Sequence, residues 1–339
     1  MNFKKTFIIA EAGVNHNGRL DLALKLVDAA KAAGADAVKF QTFKTEAVIT
    51  RKAGKAAYQR QTTGGGQTQF DMVRKLELSF EDFRRIAAHC AKKRIAFVST
   101  PCDPQSVDLL KQLKVPFFKI GSAEVTNIPF LQHAARQRVP IVLSTGMSTL
   151  AEVKEAVSAI RRAGHKDLAL LHCVTEYPAP AAQMNLAAMH TLHKAFKVPV
   201  GLSDHTLGVH IAVAAVALGA RIIEKHLTLD KSMTGPDHKA SLNPVEFRQM
   251  VTSIREVESA LGDGKKRPAA CELKNIDVVR RSVVAACAIS KNTRITEQMI
   301  AFKRPGTGIA PKSWRQVIGR RAAKNIQEDD VLQWGHLVK

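Results

Sequence analysis

The 339-residue sequence predicts an α/β fold: a (β/α)8 TIM barrel over residues 1–262, then a small β-rich domain. Three observations carry this reading. Eight short runs rich in β-branched and aromatic residues alternate with stretches of helical apolar spacing, the pattern of βα units around a parallel sheet. The length suits one barrel of about 250 residues plus an appended module. After Gly262 the texture changes, and GDGKKRPAACELKN reads as a charged Gly/Pro linker, placed at 263–277.

The elements follow in order. FIIAEAG from Phe7 is the first strand and LDLALKLVDAAKAAG the helix that returns from it. AVKFQTF from Ala37 comes next, then a long segment from Lys44 to Leu78 containing TTGGGQTQ. That segment is too long for a tight turn; its glycines predict a mobile loop, a lid on the C-terminal face where barrel active sites lie. IAFVST, FFKIGS, PIVLSTG, LALLHCV, VPVGLSDH and RIIEKHLT supply the other six strands, each followed by a helical stretch. Ser79 with Asp82 and Asn243 with Glu246 have capping-box spacing, while Gly34, Gly164, Gly219 and Gly262 close helices. A doubly wound open sheet is the competing architecture, but no GxGxxG follows the first strand. The tail, 278–339, carries short strands such as SVVAACAI and the turn-rich KRPGTGIAPKSW.

Composition narrows the function. Apolar residues at 45% and charged residues at 24% are ordinary for a globular protein. The net charge of +21 would attract any anion, but it is diffuse, and two Trp and two Tyr offer little base stacking, which argues against nucleic acid as the main partner. Five cysteines without a CxxC pair read as reduced thiols, and the apolar stretch after Lys5 ends at Glu11, too short for a signal peptide or membrane span. The expectation is a cytoplasmic protein with no membrane contact.

A barrel gathers its chemistry at the C-terminal ends of its strands. There the sequence places Glu11, Lys39 with Gln41, Ser99 with Thr100, Lys119 with Ser122 and Glu124, Ser144 with Thr145, Thr175 with Tyr177, Ser203 with Asp204 and His205, and Glu224 with Lys225 and His226. Two lysines on different strands, Lys39 and Lys119, among the hydroxyls of Thr100, Ser122, Ser144 and Ser203, form a cradle for a phosphate and a carboxylate. His205 and His226 end consecutive strands, about 5 Å apart in a parallel sheet, so both imidazoles can reach one divalent ion. Mn²⁺, Mg²⁺, Co²⁺ and Zn²⁺ all suit such a pair as a Lewis acid on a carbonyl. In the loop beyond, either His238 or Asp237 is placed to hydrogen-bond a substrate or a metal-bound water.

The motifs EAGVNHNG, VKFQTF, STPCD, KIGSAE, LSTGM, HCVTEYPAP, GLSDHT, EKHLTLDKSMTGPDHKASL, RRSVVA and KRPGTG, in this order, resemble those of the sialic acid synthases. The resemblance implies a TIM barrel followed by an antifreeze-like SAF domain. It implies condensation of phosphoenolpyruvate with N-acetylmannosamine or a related amino sugar, giving a nonulosonic acid and phosphate. By the same resemblance Lys39, Thr100, Lys119, Ser122, Ser144 and Ser203 fall on phosphoenolpyruvate-binding positions. His205 and His226 fall on the metal ligands, with Mn²⁺ the first choice and Mg²⁺ or Co²⁺ the alternatives. Glu11, Gln41, Glu124, Tyr177 and Asp237 match positions near the sugar, the metal water or the reacting carbons. Thr175 stands where some family members have asparagine. Arg280 matches an arginine that reaches into the partner subunit's barrel, which implies a swapped homodimer. The long loop, including Tyr58 and Gln59, would read the sugar.

N-acetylmannosamine is the first acceptor the resemblance points to, followed by a diacetamido trideoxy hexose leading to legionaminic acid and then the pseudaminic precursor. Two other classes compete: a phosphoenolpyruvate-dependent barrel enzyme acting on a phosphorylated sugar, and a non-catalytic anion binder.

Overall fold

Burial of both faces of the strands drives the first unit. The eight strands are β1 (Phe7–Gly13), β2 (Ala37–Thr42), β3 (Ala96–Pro101), β4 (Phe118–Ile120), β5 (Ile141–Ser144), β6 (Leu168–Cys173), β7 (Val200–Asp204) and β8 (Ile222–His226). Nearly every one of their residues is buried, as expected of parallel strands covered on both faces. Residues alternating along each strand point to opposite faces, so Ile9, Ala37, Val98, Phe117, Val142, Ala169 and Ile222 fill the barrel interior. The opposite faces, including Ile8, Val38 and Ile223, pack under the helices.

In the computed structural model, which describes residues 4–339, the strands pair in the order β3-β2-β1-β8-β7-β6-β5-β4, all parallel, and β3 and β4 lie side by side to close the ring. This is the predicted barrel. The registers that position the site are Glu11 opposite Lys39 and His226, and Ser203 opposite Glu224. The capping boxes at Ser79 and Asn243 form as their spacing predicts, and Gly34, Gly164, Gly219 and Gly262 all take positive φ.

The segment after β2 differs from the loop expected there. It holds three short helices, Thr45–Val48, Ala57–Thr63 and Gln69–Arg74, the last started by a capping box between Thr68 and Asp71. Lys55 fastens the middle helix to the glycines by donating to the Thr63 hydroxyl (3.0 Å) and the Gly64 carbonyl (2.9 Å).

The chain divides into two units, Met1–Gly262 and Asp263–Lys339. In the second, the stretch expected as a linker carries a helix, Leu273–Val279. Beyond it, β9 (Ser282–Ala285) pairs antiparallel with β10 (Ile300–Lys303), and β11 (Arg321–Ala322) with β12 (Leu337–Val338), around Val283, Ile289, Ile295, Val317 and Leu332. No helix among the described residues is long and apolar enough to cross a membrane.

Candidate active site

Of the residues given a site role from the sequence, all but His238 and Arg280 line one cavity of about 320 Å³ at the C-terminal ends of the barrel strands. Arg280 lies in the second unit, exposed, directly after the helix Leu273–Val279. Of the two loop candidates, Asp237 lines the cavity, whereas His238 is turned away. His238 is a structural residue, with Nδ1 2.7 Å from the Thr228 hydroxyl and Nε2 3.3 Å from Asn17 Oδ1.

At the base of the cavity lies a buried quartet of charges. Lys39 Nζ is 2.9 Å from Glu11 Oε1 and 3.6 Å from Glu224, and Lys119 Nζ is 3.4 Å from Glu224. Lys39 also donates to the Thr100 hydroxyl (3.0 Å), Gln41 donates to Glu11 (3.2 Å), and Ser203 donates to Glu224 (2.9 Å). Burial works against all four charges, and their neighbours decide the outcome. Burial raises the Glu11 carboxyl above the usual range despite Lys39. Burial also opposes ionisation of Glu224, but Lys119 and Lys39 outweigh it and hold that carboxyl down to about 2. Burial lowers Lys119, with Glu224 offsetting only part, while at Lys39 the two glutamates win and the ammonium is held more firmly than usual.

Glu224, a strand-end residue to which the sequence assigns no role, is the carboxylate that ties the two lysines together. The signal for it was present in the sequence: it stands two residues before His226 on one strand, so both side chains share the inner face.

Above the lysines stand the hydroxyls. Ser122 Oγ accepts the Gly146 N–H (2.8 Å) and lies 3.1 Å from Cys173 Sγ. Gly146 has to be glycine for them to converge, because a Cβ there would sit 2.3 Å from Thr175 Oγ1 and 2.8 Å from Cys173 Sγ. Glu124, its pKa raised by burial, is held by Asn127. Tyr58 and Gln59 come from the helix Ala57–Thr63, where Gln59 Oε1 also accepts the Ala56 N–H (3.0 Å).

On the other wall are the histidines. Tyr177 stacks on His205 (4.1 Å between centroids) and meets Tyr58 (5.1 Å) and His226 (5.5 Å). The His205 and His226 rings are 5.5 Å apart at 72°. Burial pushes His205 down to about 4 and His226 well below its usual value, so both imidazoles are neutral at pH 7, the form that binds a metal. His205 Nδ1–H donates to the Val174 carbonyl at 2.7 Å, which leaves Nε2 with its lone pair toward the cavity. His226 Nδ1 has no hydrogen-bond partner among the described residues and lies 3.8 Å from Asp237, whose carboxyl burial raises to about 7. The donor set suits a divalent ion completed by water or substrate oxygens. Among the described residues no group of three or more His, Cys, Asp or Glu is assembled as a full cage.

Buried polar atoms are rarely left unpaired. Here Glu11 Oε2, Glu224 Oε2, Ser144 Oγ, Thr175 Oγ1 and His226 Nδ1 are all buried without a hydrogen-bond partner among the described residues, and all five belong to residues of this one cavity. The two hydroxyls can donate to an anionic ligand, whereas the carboxylate oxygens call for a water, a ligand hydroxyl or a cation.

Comparison with known proteins agrees. Residues 26–266 match the NeuB family and residues 280–338 the SAF domain. The chain is 50% identical over 332 residues to the N,N'-diacetyllegionaminic acid synthase of Campylobacter jejuni, covering 97% of this chain and 99% of that one. It is 45% identical to the Legionella pneumophila enzyme of the same name, covering 98% and 94%. It is 36% identical to the human N-acetylneuraminate-9-phosphate synthase, covering 96% and 91%. Among solved structures, the N-acetylneuraminic acid synthetase of Leptospira borgpetersenii superposes with a TM-score of 0.71 at 36% identity, covering 80% of this chain and 90% of that one. The chain belongs to the NeuB family of nonulosonic (sialic) acid synthases, with an SAF domain at its end.

Proposed function

We propose that this enzyme condenses phosphoenolpyruvate with a diacetamido trideoxy hexose to give a legionaminic-type acid and phosphate. The observation that carries the donor half is the buried pair Lys39 and Lys119, the only lysines or arginines lining the cavity among the described residues. The acceptor half rests on the two legionaminic acid synthases at 50% and 45% identity. It is supported by the apolar lining that the long segment contributes: Val48, Ile49, Met72, Val73 and Leu76. Such a wall suits a 6-deoxy methyl group. It suits a 6-phosphate poorly, because Lys44 is taken by Glu77 (3.1 Å) and Lys55 by Thr63 and Gly64. This moves the diacetamido sugar ahead of N-acetylmannosamine.

In the reaction, C3 of phosphoenolpyruvate bonds to the sugar's aldehyde carbon, whose oxygen takes up a proton. Water adds at C2, and phosphate leaves by C–O cleavage, which regenerates a ketone. Lys39 and Lys119 hold the phosphate and carboxylate, and both stay charged by trading their contacts to Glu224 for the ligand. Ser122, its oxygen already accepting from Gly146, can turn its proton from Cys173 Sγ to the ligand. Ser144 and Thr175 offer hydroxyls that lack other partners. Glu11, with Oε1 held by Lys39 and Gln41 and Oε2 free, takes the proton from the water that adds at C2. Tyr177 and Asp237 flank the histidines at the carbonyl end of the sugar. A divalent ion, Mn²⁺ first and Mg²⁺ or Co²⁺ next, held by His205 and His226 would supply Lewis acidity at that carbonyl.

We place the active form as a homodimer in which Arg280 reaches the sugar in the neighbouring barrel. The helix before it supports this by exposing Leu273, Val278 and Val279. The free cysteines support a reducing, cytoplasmic setting. The test is phosphate release from phosphoenolpyruvate with Mn²⁺, comparing the diacetamido trideoxy sugar, N-acetylmannosamine and its 6-phosphate, with metal-stripped enzyme as control. Preference for N-acetylmannosamine would overturn the acceptor, and release without metal would overturn the metal reading.

A further inference from the structure

Behind the two histidines lies a charged pair that does not line the cavity. Asp204 and Lys225 are register partners on β7 and β8, their side chains have 0% exposure, and Nζ lies 2.8 Å from Oδ2. Lys225 also donates to the Thr206 carbonyl at 2.5 Å. The other oxygen of Asp204, Oδ1, accepts both the Thr206 N–H (2.9 Å) and the Thr206 hydroxyl (2.8 Å). Asp204 and Thr206 are the residues on either side of His205, and Lys225 is the residue before His226. Both flanks of one histidine are therefore bonded to the neighbour of the other.

Such a pair is a poor way to stabilise a core. The cost of stripping water from both ions roughly cancels their attraction, and apolar residues of the same volume often serve as well or better. Its value has to lie in geometry. Neighbouring parallel strands can shift against each other by fractions of an ångström without losing their ladder, and such a shift would change the angle and separation of two imidazoles projecting from their ends. His226 has particular need of support, since its Nδ1 has no hydrogen bond among the described residues to orient the ring, whereas His205 has the Val174 carbonyl.

We propose that Asp204 and Lys225 are positioning residues: a buried brace across β7 and β8 that holds the His205 and His226 imidazoles at the separation and angle that one divalent cation requires. This rests on the reading of those histidines as metal ligands. Supports behind metal ligands typically carry about 10- to 100-fold in metal affinity.

The test uses full-length D204N/K225M, which removes the cross-strand bond but leaves no charge buried alone and keeps an oxygen for Thr206. Mn²⁺ affinity is measured by titration calorimetry or by the electron paramagnetic resonance of free Mn²⁺. Metal-free melting temperature and phosphoenolpyruvate affinity are measured beside it. The expected result is Mn²⁺ binding weaker by about 10- to 100-fold, with phosphoenolpyruvate binding and the metal-free melt close to wild type. T206V, which removes one bond of the brace and buries no charge, is expected to weaken Mn²⁺ binding less and in the same direction. It carries the test if the double variant does not fold. Wild-type Mn²⁺ affinity in either folded variant overturns the brace while leaving the metal reading intact. A wild-type enzyme that binds no Mn²⁺ overturns the metal reading, and the brace with it.

Discussion

Glu224→Gln separates the roles of the buried quartet. Glu224 is the sole carboxylate within 4 Å of Lys119 among the described residues and the second one beside Lys39, at 3.4 and 3.6 Å. At an effective dielectric of 20 each contact corresponds to about 5 kcal/mol of attraction, before the cost of burying the charges is subtracted. Removing one partner of a buried pair typically costs about 3–5 kcal/mol net, because the remaining charge is stranded. Glutamine keeps the oxygen that accepts from Ser203, so shape and that hydrogen bond survive. The ligand-free variant should melt about 6–10 °C below wild type, at roughly 2 °C per kcal/mol for a domain of this size.

The sign then reverses with an anion. Phosphoenolpyruvate supplies the negative charge that Lys119 has lost, and it no longer has to compete with a carboxylate for either lysine. A saturating concentration should therefore raise the melting temperature of Glu224→Gln by more than it raises that of wild type. The assay is differential scanning fluorimetry of both proteins with phosphoenolpyruvate titrated in, at fixed ionic strength. An equal or smaller ligand shift in the variant would refute the reasoning, because it would mean that the lysines do not exchange Glu224 for the ligand.

Three further outcomes are expected. Glu11→Gln should lower kcat by about 10²–10⁴ with little change in phosphoenolpyruvate affinity, the signature of a lost base; near-normal turnover in steady-state kinetics would remove Glu11 from the mechanism. Gly146→Ala should lower kcat/KM on the order of 100-fold, because its Cβ displaces Thr175, Cys173 and Ser122; unaltered kinetics with phosphoenolpyruvate would show that those hydroxyls are not used. Burial lowers His16, the histidine of EAGVNHNG, to about 4, with Asp82 opposing. Its neutral form is the folded one, so its contribution is whole above pH 6.5 and is lost as pH falls toward 4. The full loss is about 3 kcal/mol. Urea unfolding at pH 7.5 and 5 should show a smaller acid loss in His16→Gln, and identical losses would refute the assignment.

What the sequence conveyed depended on how many residues had to be known at once. A strand run declares itself locally, so all eight barrel strands and the residues at their ends could be read directly. Glu224 needed one more step, the alternation that puts it on the same face as His226, and its consequence needed two: that β8 closes against β1, and that Lys39 and Lys119 point into the same interior. The short helices of Lys44 to Leu78 were hidden because threonine and glycine dominate the middle, although the capping box between Thr68 and Asp71 is a local signal of the same kind as Ser79 with Asp82. His238 looked like a site residue because sequence spacing cannot say which way a side chain turns, and its bond to Thr228 took it away from the cavity. Asp204 and Lys225 illustrate the same limit most sharply. In GLSDHT and EKHLT each reads as an ordinary strand-end charge beside a histidine. Only the β7–β8 register makes them one buried pair. The chemistry of this barrel is therefore legible strand by strand, whereas its charge balance and the aim of its histidines belong to pairs of strands, and those are the quantities that the Glu224 and D204N/K225M variants measure.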